Sequence, residues 1–339
     1  MEYRYIGNSG LRVSPICMGT MGFGTWSDKS EAFRILDASY ERGINFFDTA
    51  EVYPVPPTAE LAGLTEEIFG EWVQTKPRDS IIIATKVAGA ASGWIVPPIR
   101  YGLTAIDRHH IENAIEGSLR RLNIEYVDLY QVHWPDNVVP IEESMEALDR
   151  LVESGKARYL GTSNENAYGL TKSNTVAKYE GLTRFQSIQN NFSLLNQRFF
   201  DELANVCRQE NVSLLPYSPI GGGGLSGKYQ QGEMPSQTRF GDYMKEGDSR
   251  QKLMAQRFVN KDTLLSTGKY LEISKKAGLS PVTMATAWSM HWDFVASTIV
   301  GVRNVGQLDE IFSAFDVRLT DELLKECDEV HQQYKYPMG

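Results

Sequence analysis

Eight short apolar runs recur along the 339-residue chain, each separated from the next by a longer stretch of mixed polarity. They fall at 16–19, 44–48, 81–85, 127–131, 157–161, 185–189, 212–217 and 297–300. Each is strand length, and several carry almost no polar residue, as parallel strands buried on both faces do. The stretches between them have helical spacing. In 31–42, Ala32, Ile35, Leu36 and Ser39 can share one face while Glu31, Arg34, Asp37 and Glu41 face water. Similar helices are expected at 108–122, 141–154, 201–210 and 281–292. Such alternation admits two architectures, a closed (β/α)8 barrel or an open doubly wound sheet.

Two details favour the barrel. The first strand-to-helix turn, residues 18–24, has no G-x-G-x-x-G phosphate fingerprint. Polar residues of chemical interest stand at the C-terminal ends of many strands: Asp48, Lys86, His133, Asn164, Gln189 and Tyr217. Barrel enzymes build their sites at that face. One such residue would read as a turn or a cap; six on six strands do not. The expected fold is therefore α/β, a single-domain (β/α)8 TIM barrel over residues 1–339. Two segments interrupt the alternation. Prolines at 54, 56 and 57 make a stiff, extended stretch. Residues 221–260, rich in Gly and charge and short of apolar periodicity, read as a long functional loop.

Composition narrows the function. A net charge of −9 argues against nucleic acid or an anionic membrane surface as the main partner. The N-terminus lacks the basic-then-apolar pattern of a signal peptide, and no apolar run approaches a membrane span, so a cytoplasmic protein is expected. Cys17, Cys207 and Cys327 are far apart, without metal spacing, and read as reduced thiols. His109 and His110 are adjacent and His291 and His331 isolated; no metal site is expected. The glycines from Gly222 to Gly227, followed by Lys228, imitate a P-loop, yet Tyr229 stands where Ser or Thr must hold magnesium. Backbone N–H groups of such a loop can still cradle phosphate.

The remaining constellation is Asp48, Tyr53, Lys86 and His133. A lysine ending a buried strand needs a carboxylate, and Asp48 ends the adjacent strand. A structural ion pair would account for those two but not for Tyr53. A cation beside a phenol lowers its pKa from ~10 toward the working range, which would make Tyr53 a general acid. Lys86 could instead form a Schiff base with a carbonyl substrate.

Phe46, Phe47, Asp48, Thr49 and Ala50 followed by Tyr53, then Ala84-Thr-Lys86, Asp128 through His133, Gly161 through Asn164, and Pro216 through Pro219, resemble the aldo-keto reductase superfamily. The likeness runs in order from Gly7 to the last helix. Tyr53 through Pro57, with Gly63 through Glu66, resembles the Tas-like branch more narrowly. Pro54 follows the tyrosine where most of the superfamily carries glycine. The resemblance implies that Tyr53 donates a proton to a carbonyl oxygen, that Lys86 paired with Asp48 tunes it, and that His133 orients the carbonyl.

It also implies an NADP(H) cofactor supplying hydride. Ser163, Asn164 and Gln189 would contact the carboxamide, and Tyr217 would stack under the nicotinamide. Gly19, Thr20, Met21 and Asp48 complete that end of the site. Ser218, Pro219, Ile220, Gly222, Leu225 and Lys228 would line the pyrophosphate, and Gly301, Arg303, Gln307 and Glu310 the adenosine. Arg303 would grip the 2′-phosphate. Ile311 replaces a common Asn. Met21, Phe23, Trp26, Trp94 and Trp134 are expected to wall an apolar pocket for a small-molecule carbonyl substrate, with 89–93 as a mobile rim. The implied activity is NADPH-dependent reduction of aldehydes or ketones; a cofactor-sensing regulatory subunit is the alternative.

Overall fold

Hydrogen bonding between neighbouring apolar runs curls them into one parallel sheet that closes on itself. The computed structural model describes residues 1–91, 97–230 and 234–338. A short antiparallel hairpin, β1 (Arg4–Tyr5) and β2 (Arg12–Val13), precedes the sheet. The barrel strands follow as β3 (Ile16–Gly19), β4 (Phe46–Asp48), β5 (Ile82–Val87), β6 (Val127–Val132), β7 (Ala157–Ser163), β8 (Phe185–Gln189), β9 (Ser213–Leu214) and β10 (Thr298–Val300). Their order is β10-β3-β4-β5-β6-β7-β8-β9. Parallel bridges from Leu214 to Val295 and from Tyr217 to Ile299 join the two ends. The architecture is a (β/α)8 barrel. The seventh run, expected over 212–217, keeps a regular ladder only at Ser213–Leu214, because Pro216 has no N–H to donate, though Leu215 and Tyr217 still donate to the Ile188 and Asn190 carbonyls.

Period-two alternation explains the layout of the interior. Cys17, Phe46, Ala84 and Leu129 point inward, packing with Ile6, Leu11 and Val13 of the hairpin segment. That layer caps the N-terminal end of the barrel. Two residues further along three of those strands come Asp48, Lys86 and Gln131, with Gln189 on β8, all buried. The barrel is thus apolar below and polar above. The opposite parity, Met18, Phe47, Ile83 and Tyr130, faces the helices and joins the main core.

The helices are α1 (Lys29–Glu41), α2 (Leu64–Val73), α3 (Arg108–Leu122), α4 (Ile141–Glu153), α5 (Ala167–Glu180), α6 (Leu203–Glu210), α7 (Arg239–Glu246), α8 (Ser249–Phe258), α9 (Lys261–Lys276), α10 (Pro281–Met290), α11 (Leu308–Phe312) and α12 (Asp321–Gln333). α1, α3, α4, α6 and α10 lie where periodicity predicts them, within a few residues at each end. α2 escapes a periodicity reading because it is buried nearly all round: Thr65 and Glu66 are as buried as Ile68 and Phe69. The segment 221–260 corrects the expectation of an irregular loop. It opens with a 3-10 turn, Gly221–Ser226, and then forms α7 and α8. Thr238 caps α7, and Asp248 with Gln251 makes a capping box on α8. Phe240, Tyr243, Ala255 and Phe258 are its buried face, a pattern hidden among charges.

Asp128 ties the lower ends of two strands whose upper ends reach the polar layer. It is 1% exposed, accepts the Ile83 N–H at 2.9 Å, and pairs with Arg78 and Arg158, each at 2.7 Å. Asp128→Ala would leave a buried N–H and two guanidinium groups without their acceptor. The orphaned Ile83 N–H costs about 1–3 kcal/mol, and the arginines add little because Arg158 reaches water and Arg78 keeps the Ile81 and Tyr126 carbonyls. Urea unfolding should show a lower midpoint with unchanged slope; an unchanged midpoint would mean that water replaces the carboxylate.

Candidate active site

The polar layer is organised by one lysine. Lys86 is fully buried and donates to Asp48 Oδ2 at 2.5 Å and to the Thr49 carbonyl at 2.7 Å. The other carboxylate oxygen of Asp48 accepts from Gln131 Nε2 at 3.0 Å and from Gln189 Nε2 at 2.9 Å. The Asp48 carbonyl takes the N–H and hydroxyl of Thr20, both at 3.0 Å. Every charged atom of the pair thereby finds partners, as a buried ion pair must. Burial alone would push the Lys86 ammonium down, but Asp48 and then Tyr53 hold it above the usual lysine range.

Tyr53 and His133 stand above this pair, largely buried. The Tyr53 ring centre lies 5.2 Å from Lys86 Nζ and 5.6 Å from the His133 ring, edge to face. Sequence reasoning expects the lysine to bring the phenol down; the net direction is the reverse. Burial pushes Tyr53 above its usual value, and the opposing pull of Lys86 does not cancel it, since that charge is already engaged by Asp48. Tyr53 is therefore a phenol that holds its proton near neutrality. Burial, with Lys86 beside it, holds His133 well below the usual imidazole range, so its ring is neutral. Its Nδ1 is buried without a hydrogen-bond partner among the described residues.

A second ring of contacts surrounds the mouth. Ser163 donates to the Gln189 carbonyl at 2.7 Å. Asn164, in the left-handed region at φ 57°, donates to the His133 carbonyl at 2.9 Å and accepts the Tyr217 hydroxyl at 2.7 Å. Gln189, expected to face a carboxamide, spends its amide nitrogen on Asp48 and on Gln131 Oε1, the latter at 3.1 Å. Gln131 is a member of the polar layer that sequence reasoning missed; its parity with Leu129 on β6 is the signal that identifies it.

Cations gather on the far side of the mouth. Two guanidinium groups lie against the Trp26 ring, Arg239 at 5.1 Å and Arg303 at 5.3 Å. Arg303 also donates to the Gln237 carbonyl at 2.6 Å and pairs with Asp242 at 3.3 Å, while its backbone N–H donates to Gln307 at 2.8 Å. Lys228 is pulled down by burial and by Arg303. The adjoining turn carries Gly221, Gly222 and Gly223, all at positive φ. A Cβ on Gly222 would meet Phe240 at 2.6 Å. Gly221 and Gly223 spend their N–H groups on the Ser218 and Ile220 carbonyls within the turn, so the three cations beside it are the charge complement a polyanion needs. Arg239 carried no sequence signal, since only the fold of α7 brings it to Trp26.

Other expected positions sort differently. Trp26, expected in the pocket wall, stands against the two guanidinium groups. Phe23, expected in the pocket wall, is 1% exposed and packs in the main core, because the turn after β3 folds it beneath α2, where Thr65 donates to its carbonyl at 2.8 Å. Trp134 lies tilted against His133, ring centres 4.6 Å apart, and the Met21 carbonyl accepts the Val55 N–H at 2.9 Å. Gly19 lies against Ile299, where a Cβ would stand 2.8 Å from its Cγ2. Leu225 is buried, Ser218 sits at φ 57°, and Pro219 and Ile220 lead into the glycine turn. Glu310 and Gly301 are exposed, with Glu310 accepting from Ser280 at 2.7 Å; Ile311 is core. Trp94 lies outside the described residues.

Residues 15–332 match the model of the Aldo/keto reductase family. The chain is 37% identical over 360 aligned residues to protein Tas of Escherichia coli (strain K12), covering 99% of both. It is 32% identical to the uncharacterized oxidoreductase YrpG of Bacillus subtilis (strain 168), covering 97% of this chain and 96% of that one. Similarity of 32% extends to a probable voltage-gated potassium channel subunit beta of Oryza sativa subsp. japonica, covering 98% and 97%. No helix among the described residues is long and apolar enough to cross a membrane.

The depressed basicity of His133 has a consequence for stability. Unfolded, the ring takes a proton below pH ~6.5; folded, it resists until much lower pH. The unfolded state therefore binds more protons in that window, and stability falls as pH drops through it. His331 acts in the same direction, so the difference between wild type and His133→Gln is what counts. Urea unfolding near pH 7.5 and about pH 5.5 should show a shallower loss for the variant; equal losses would mean that His133 is protonated at no cost in the folded site.

Proposed function

Because this chain belongs to the aldo/keto reductase family, we propose that it reduces aldehydes or ketones to alcohols with NADPH, using Tyr53 as general acid. The observation that carries the reading is the stack of Asp48, Lys86, Tyr53 and His133: a proton-holding phenol between a buried ammonium and a neutral imidazole. A bound nicotinamide supplies hydride to the carbonyl carbon. Tyr53 passes its proton to the carbonyl oxygen as negative charge develops there. Lys86 stabilises the resulting phenolate, and Asp48 keeps the ammonium charged and in place. His133 stays uncharged, so it leaves the proton to Tyr53 and presents a ring nitrogen that orients the carbonyl. Asn164 and Tyr217, already linked at the mouth, provide the platform for the nicotinamide, and the glycine turn with Lys228, Arg239 and Arg303 takes the phosphates.

Tyr53→Phe should leave NADPH affinity within about twofold and lower kcat by ~10²–10⁴, the usual contribution of general acid catalysis. Initial rates of NADPH oxidation against a panel of aliphatic and aromatic aldehydes, dicarbonyls and quinones test this. A variant that keeps more than half its rate sinks the mechanism.

Cofactor choice rests on Arg303. A charge-assisted fork to a 2′-phosphate is worth about 1.5–3 kcal/mol, roughly ten- to a hundredfold in affinity. NADPH should bind more tightly than NADH, and Arg303→Ala should erase most of the difference while leaving NADH nearly unaffected. Fluorescence titration of both cofactors at one salt concentration decides; equal losses would make Arg303 a support for the fold of 237–242 and not a reader of the phosphate.

A second reading is favoured by the similarity to the channel subunit: a protein whose bound cofactor state is sensed by a partner. An intact tetrad with negligible turnover across the panel, together with a stable partner in pulldown, would support it.

A further inference from the structure

One buried charge pair beside the tetrad is used by none of the chemistry above. Glu51, two residues before Tyr53, is nearly as buried as Asp48. Its Oε1 accepts the Ala88 N–H at 2.7 Å and Arg100 Nη2 at 2.8 Å, and its Oε2 accepts Arg100 Nη1 at 2.7 Å. Ala88 lies two residues past Lys86 on the chain that leaves β5. Arg100 comes from the rim, residues 97–104, the stretch before α3. One carboxylate therefore joins the loop that carries Tyr53, the strand end that carries Lys86, and the rim.

The rim's backbone is held against its preference. Arg100 and Tyr101 are consecutive non-glycine residues in the left-handed region, at φ 47° and 54°. Such conformations persist only where surroundings enforce them. Tyr101 is fully exposed, so its own side chain supplies no hold. The bidentate fork of Arg100 on Glu51 does, with turn bonds from Gly102 to the Ile99 carbonyl and from Leu103 to the Arg100 carbonyl, both at 2.9 Å. Arg100 is preceded by Ile99, which packs with Tyr53 against a small apolar cluster of Ala50, Val52, Ala88 and Trp134. Trp134 is in turn fixed by its indole N–H to the Ala90 carbonyl at 2.8 Å.

We propose that Arg100 and Glu51 are positioning residues that clasp the rim to the Tyr53 loop and make Ile99, with Trp134, the apolar wall facing the substrate carbonyl beside Tyr53. An Arg–carboxylate fork suits this task because it fixes orientation as well as distance. The clasp adds to the proposed reductase activity and rests on Tyr53 being its acid.

Arg100→Lys keeps the charge but loses the fork, and Arg100→Ala loses both. With 4-nitrobenzaldehyde as probe, both should lower kcat/KM by roughly ten- to a hundredfold, the scale of a misplaced acid, while the Kd for NADPH stays within about twofold. Methylguanidinium should restore part of the rate of Arg100→Ala and none of Arg100→Lys. Ile99→Ala should raise KM more than it lowers kcat. Normal kcat/KM with a lowered unfolding midpoint would make the clasp a stability element only, and loss of NADPH affinity in parallel would mean a general collapse of the mouth; either overturns the proposal. Hydrogen exchange reads the clasp without turnover. Arg100→Ala should speed exchange in peptides spanning 50–55 as well as 97–104, whereas faster exchange confined to 97–104 refutes the coupling. Wild type that turns over no carbonyl at all refutes the reductase reading, and with it the catalytic part of the clasp, while the exchange result still decides whether the two loops are joined.

Discussion

An ammonium group with no water around it governs this barrel. Lys86 stands inside the sheet at full burial, and removing such a charge from water costs several kcal/mol before any partner is supplied. Asp48 must lie beside it, and Asp48 must itself be satisfied, which draws in Gln131 and Gln189 from β6 and β8. Four strands are thereby committed to one polar layer. A well-packed apolar layer in the same place would cost less to bury, so the pair is not there to hold the fold together. Its effect is to present a fixed positive charge beneath the Tyr53 ring.

The two ends of the barrel do different work. Below, the hairpin segment plugs the interior with Ile6, Leu11 and Val13, and Asp128 ties strand starts to surface arginines. Above, the contacts are polar, and several are made by residues with left-handed backbones, Asn164 and Ser218 among them. Strain of that kind is tolerated where rigid surroundings impose it, and the closed sheet is such a surrounding. Trp26 then joins three segments that are distant in the chain: the turn after β3, the start of α7, and the stretch after β10. The cationic side of the mouth exists only because those three meet.

The chain is similar both to an oxidoreductase and to a channel subunit. The layer that holds a charged lysine beneath a phenol is a property of the strands, while what the mouth admits depends on the turns and helices laid across it.

Read alone, the chain determined the strands, the barrel and the four residues at its centre. Strand-length apolar runs must bury both faces, in a closed barrel or an open doubly wound sheet, and the polar residues ending six of them pointed to the barrel. A lysine ending one of them must find an acid on a neighbour, so Asp48 and Lys86 were legible together. Helices α7 and α8 were not, because their buried faces are thin and set among charges. Gln131 was hidden because a glutamine inside an apolar run looks like an interruption until strand parity is known. Tertiary structure alone decided that Phe23 goes to the core, that Trp26 meets two arginines, and that Tyr53 is raised and not lowered. The last of these is a balance between burial and a nearby charge, and its sign depends on how much of the lysine's field Asp48 has already taken. Distances of that kind are set by packing in three dimensions, and no spacing along the chain encodes them.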